Sequence, residues 1–71
     1  MKVVVKSLLK EVRVQKNVSL RQLAEISGVS KSHISEIENN TSIPTLYAIC
    51  ALAVALEVKP EELYTFEVVE K

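Results

Sequence analysis

The sequence is short of most residues that staple or bend a chain. It has one cysteine, one glycine, two prolines, three aromatic residues and no tryptophan. A lone cysteine, Cys50, excludes an internal disulfide framework. Glycine and proline are too scarce for a β-rich fold with many tight turns. No apolar run reaches the roughly 18 residues of a membrane span, because Glu57 and Lys59 close the longest one. The start lacks the longer apolar segment and cleavage site of an export signal, so the expected compartment is the cytoplasm. What remains is 71 residues, 48% hydrophobic and 25% charged, the size of a single domain over residues 1–71. A core this small rarely supplies more than about 3–5 kcal/mol without a partner.

An excess of either charge is also missing: nine Lys and Arg balance nine Asp and Glu. That sum argues against a nucleic-acid binder, which usually carries a basic excess. The distribution argues otherwise. Residues 1–35 hold seven bases and two acids, and the remainder holds two bases and seven acids. Such a split suits one face turned to an anionic partner, although two ordinary solvated surfaces would show it too.

The pattern is mainly helical. Val5, Leu8, Leu9 and Val12 stand at i, i+3, i+4 and i+7, one stripe of a first helix ending near Lys16-Asn17. Ser19 caps a second helix bearing Leu23, Ala24 and Ile26, and Gln22 completes a capping box. Gly28 follows where a chain leaving a helix commonly needs positive φ. Ser30 caps a third helix whose apolar residues are Ile34 and Ile37. Asn39 to Ser42 is a polar loop, Pro44-Thr45 opens a fourth helix running to about Leu56, and Pro60 suits a short fifth, Glu61 to Tyr64. Within the fourth, Leu46, Ile49, Leu52, Ala53 and Leu56 fit a buried stripe. The ends, Lys2 to Val5 and Thr65 to Val69, are β-branched and aromatic enough for short strands able to pair with each other. A two-stranded ribbon is marginal alone and needs packing on the helices or on a second subunit.

The informative stretch runs from Ser19 to Glu38, two short helices joined by a tight turn at Gly28 with Ala24, Val29 and Ile34 able to pack in the angle. Together with Leu23-Ala24, Gly28-Val29-Ser30, Ile34-Ser35 and Glu38, the chain carries Pro44-Thr45-Leu46, Leu52-Ala53, Leu56, Val58 and Leu63 in register. It resembles the Cro/repressor-type helix-turn-helix domain of the XRE family of transcriptional regulators over nearly its whole length. The resemblance implies a five-helix, lambda-repressor-like bundle whose second and third helices form the DNA-reading unit, working as a two-fold dimer on a near-palindromic operator.

Carried over by position, the base-reading sites fall on Lys31, Ser32, Ser35 and Glu36. Lys31 would donate to guanine O6 and N7, Glu36 would accept from cytosine N4, and the serines serve either. The alternatives are a phosphate contact for Lys31 and a solvated acid for Glu36. Backbone anchoring would come from Ser19, Arg21, Ser30, His33, Asn39 and Asn40, with Lys6 and Lys10 adding long-range attraction. Two positions depart from the family. Leu20 stands where many members have Gln, so Arg21 would substitute, and Asn40 replaces a frequent Gly but tolerates a left-handed conformation. Arg13 and Glu38 occupy positions that often form an ion pair between the first and third helices; the alternative is an Arg13 that faces phosphate.

The fourth helix also shows a second apolar side, Tyr47, Cys50, Ala51 and Val54, where family members commonly carry polar residues. With Tyr64 and Phe66 it forms a candidate homodimer interface, the segment 57–71 supporting it; alternatively the termini fold over it within one subunit. Enzymatic chemistry finds little footing. One His and one Cys cannot make a zinc site of family spacing, no phosphate-cradling Gly-rich loop occurs, and His33 is out of phase with Ser32 and Ser35 for a triad. No metal, cofactor or small-molecule ligand is implied. The expectation is a sequence-specific transcriptional regulator that binds double-stranded DNA as a homodimer and represses by occupying a promoter; the rival is a protein-interaction module of the same fold, antitoxin-like or bridging, with weak or no specific reading of DNA.

Overall fold

The computed structural model describes residues 1–70. In chain order these form strand β1 (Lys2–Ser7), helices α1 (Leu9–Gln15), α2 (Leu20–Ser27), α3 (Lys31–Glu38) and α4 (Leu46–Leu56), a 3₁₀ turn (Pro60–Leu63), and strand β2 (Tyr64–Val69). The described residues are thus mainly helical, with the termini closed into one antiparallel ribbon. Its register pairs Lys2 with Val69 and Ser7 with Tyr64.

Caps account for most boundaries. Ser19 Oγ accepts from Gln22 N–H at 3.1 Å, while Gln22 Oε1 accepts from Ser19 N–H at 2.9 Å, so two orphan donors of α2 are satisfied reciprocally. Ser30 Oγ accepts from His33 N–H, and Thr45 Oγ1 from Ala48 N–H, each at 3.1 Å. At Gly28 the chain leaves α2 with φ 77°, the left-handed cap in which a Cβ is unfavourable. Asn17, Asn40 and Glu57 adopt similar positive φ at the ends of α1, α3 and α4.

The core is wholly apolar: Leu9, Leu23, Ile34, Ile37, Leu52 and Leu63 are its largest fully buried side chains. They come from α1, α2, α3, α4 and the 3₁₀ turn, so each short helix is held by a single inward stripe.

Four details differ from the sequence-based expectation. Val5 belongs to β1 and not to the first helix, which begins after Leu8, because the strand pairing with β2 extends to Ser7. The expected fifth α-helix is a 3₁₀ turn starting at Pro60 and ending at Leu63, four residues with no length for a further α-turn before the chain extends. Both strands are longer than expected, since each residue of one finds a partner on the other. Leu46, the first residue of α4, is 84% exposed and lines an open groove with Ile43 and Phe66, while Ala48 joins Ile49 in the buried stripe.

Candidate nucleic-acid interface

Burial fixes the roll of α3. Ile34 and Ile37 are buried, so the helix turns Lys31, Ser32 and Glu36 into solvent, with Ser35 half-buried at the margin of the same side. These four residues therefore share one face. The first turn also offers the backbone N–H groups of Lys31 and Ser32, which lie too early in the helix for an intrahelical partner. Together they make a polar surface of donors with one carboxylate, suited to base edges and phosphate oxygens alike.

Around this face the other residues are placed as follows. Ser19 and Arg21 lie at the start of α2 and are exposed. Arg21 Nε stands 3.9 Å from Glu25 Oε2, a loose exposed pair that leaves the guanidinium free to turn. Ser30 uses its oxygen as a cap, which leaves its hydroxyl proton to donate outward. His33 is half-buried. Asn39 is the C-cap of α3, and the left-handed Asn40 directs its Oδ1 to the Ser7 N–H at 2.8 Å. The Asn40 amide oxygen is therefore engaged with the base of the ribbon, and its nitrogen is the group that can donate to a phosphate.

Arg13 and Glu38 come together across α1 and α3. Arg13 Nε donates to Glu38 Oε2 at 2.6 Å and its Nη2 to Oε1 at 3.2 Å, while Nη1 donates to the Val18 carbonyl at 3.0 Å. The side chains are 12% and 6% exposed, so this bidentate pair is shielded from water and Arg13 does not face solvent. It ties the back of α3 to α1 and to the chain just before α2.

The proposed dimer residues divide into two groups. Tyr47, Cys50 and Val54 are exposed along α4, with Ala51 half-buried beside them. Tyr64 and Phe66 instead line a groove with Leu46 and Ile43, which Tyr47, Cys50, Ala51 and Val54 do not line. No local sign in the sequence marks Ile43 and Leu46 as surface residues: Leu46 sits in phase with the α4 core stripe, and the groove it faces is closed by residues of the distant ribbon. Among the described residues no three His, Cys, Asp or Glu side chains converge as they would on a metal ion, and no helix is long and apolar enough to cross a membrane.

Two short helices joined at a left-handed glycine, the second with a polar face turned outward, define a helix-turn-helix unit. The helix-turn-helix family model matches residues 9–63. The chain belongs to the XRE-type helix-turn-helix family, a family of DNA-binding transcriptional regulators. It is 44% identical over 50 residues to the HTH-type transcriptional regulator SutR of Escherichia coli (strain K12), covering 70% of this chain and 28% of that one. It is 40% identical over 58 residues to an uncharacterized HTH-type transcriptional regulator of Mycobacterium tuberculosis, covering 82% and 41%. The chain thus spans less than half the length of these relatives. The crystal structure of the restriction-modification controller protein C.AhdI from Aeromonas hydrophila superposes with a TM-score of 0.73 at 35% identity, covering 76% of this chain and 82% of that one.

Proposed function

We infer that the chain is a sequence-specific double-stranded DNA-binding regulator, a cytoplasmic repressor that occupies a near-palindromic operator as a homodimer. The observation that carries this reading is the outward face of α3, where Lys31, Ser32 and Glu36 stand exposed while Ile34 and Ile37 anchor the opposite side. In the major groove, Lys31 donates to guanine O6 and N7, Glu36 accepts from cytosine N4, and Ser32 and Ser35 adapt to either base. Glu36 also works by exclusion: a carboxylate without a cytosine amine opposite is desolvated and repelled, which penalises wrong sequences. Ser19, Arg21, Ser30, His33, Asn39 and Asn40, with the free amides of the first turns, hold phosphates and set the register. A two-fold pair presents two α3 helices to half-sites about 34 Å apart, doubling the contacts that one small domain makes.

Selection from a random-sequence duplex pool tests the reading. The bound fraction should be enriched in one motif with two-fold symmetry, and a pool returned with its starting composition would sink it in favour of a protein-interaction module of the same fold.

A further inference from the structure

The terminal ribbon has two unlike faces. Residues directly opposite in an antiparallel pair share a face. Val3, Val5 and Ser7 stand opposite Val68, Phe66 and Tyr64, whereas Lys2, Val4 and Lys6 stand opposite Val69, Glu67 and Thr65. Every charge within the two strands therefore lies on the second face, where Lys6 Nζ approaches Glu67 Oε2 at 4.0 Å. The first face is apolar, yet the helices leave it open: Phe66 is 59%, Val68 50% and Val3 49% exposed. It forms one wall of a groove of about 380 Å³ whose opposite wall is Ile43, Pro44 and Leu46, and no charged residue lines it. The ribbon is tied to the helices at its base, by Ser7 N–H to Asn40 Oδ1 and Leu8 N–H to the Leu63 carbonyl at 2.9 Å.

The geometry points to a second copy of this chain as the occupant of that groove, its own ribbon laid face to face on this one about a two-fold axis. This rests on the homodimer reading and assigns its surface. A lining without cations does not hold nucleic acid, and one without any charge does not select a charged peptide. An apolar face is complementary to itself, as an isologous contact requires. The exposed parts of Val3, Val5, Val68, Phe66, Ile43 and Leu46 amount to on the order of 700 Å², close to the ~800 Å² each partner contributes to a standard interface. Face packing is also distinguished from edge pairing. Two-fold pairing of free strand edges brings Lys2 and Lys6 toward their own copies on β1, or Glu67 toward its own on β2, whereas face packing leaves all of these in water. It covers the open side of a ribbon that is marginal as two strands alone.

Sedimentation of the full chain at micromolar concentration, with circular dichroism reporting fold, tests this. The wild-type chain should run at twice 7.9 kDa and melt at a temperature that rises with concentration. Phe66→Glu and Val3→Lys, both at exposed positions, should each run as helical monomers with concentration-independent melting, and Val54→Glu on the exposed side of α4 should stay dimeric. If Phe66→Glu and Val3→Lys remain dimeric while Val54→Glu dissociates, the ribbon face is the wrong surface and the homodimer stands. If the wild-type chain is a monomer, the homodimer reading itself fails and this assignment with it.

Discussion

Arg13 and Glu38 show how much of this small protein depends on single polar contacts. Among the described residues the core holds no buried polar group, and the shielded charges are this pair at its edge, joined by two hydrogen bonds and backed by the Val18 carbonyl. Removing either partner leaves the other shielded and uncompensated, which costs about 3 kcal/mol. Arg13→Ala and Glu38→Ala should each lower stability by about that amount, and the double variant should lose clearly less than their sum; additive losses in a thermal-melt cycle contradict the coupling. Gly28 is a different case. At φ 77° a Cβ there meets no atom within 4 Å, so only backbone strain opposes a side chain. Gly28→Ala should therefore cost about 1–2 kcal/mol in melting experiments, and a larger loss would mean a steric contact that the fold does not contain. The glycine's role was legible in the sequence because Ser30 and the third helix follow it at once. Asn40's tie to the ribbon was not, since a bond between residues 33 apart in sequence leaves no local signature.

At the scale of elements, the helices were legible where a cap and an inward stripe agree. The second and third helices start after Ser19 and Ser30 because each hydroxyl accepts an amide of the first turn. Val5 fits two patterns at once: it stands at helical spacing from Leu8 and Leu9 and also in strand alternation, and its pairing with Phe66 places it in β1. Leu46 has a related ambiguity: periodicity places it with Ile49 and Ala53, but not whether another element covers that position, and in the fold it faces an open groove. The outward face of α3 makes the functional claim specific. Lys31→Ala should relax base preference at one operator position while changing affinity for scrambled duplex little, whereas Arg21→Ala at the start of α2 should weaken binding on all sequences alike and flatten the salt dependence. Equal losses on every duplex for Lys31→Ala would move that residue from bases to phosphates.

For the molecule as a whole, the charge balance of zero conceals a sorting that the fold refines. Of the seven bases in residues 1–35, Arg13 is held by Glu38, and Lys2 and Lys6 sit on the charged face of the ribbon with Glu67. Lys10 and Lys16 lie exposed on α1 and at its C-terminal end, and Arg21 and Lys31 on the helix-turn-helix unit itself. With an overall charge of zero, nonspecific attraction to DNA is expected to be modest, and on the proposed reading base contacts and a second copy of α3 supply the useful affinity. The family and the reading unit were legible because local caps and turn define them; the apolar groove was not, because it is assembled from the two chain termini and the start of α4. Sequence-specific DNA binding is decided by the ratio of dissociation constants for the selected duplex and its scrambled counterpart, measured at two salt concentrations. A specific binder gives a ratio of about 10³ or more, with both affinities weaker at the higher salt; a ratio near one at both concentrations would mean that the chain does not read sequence.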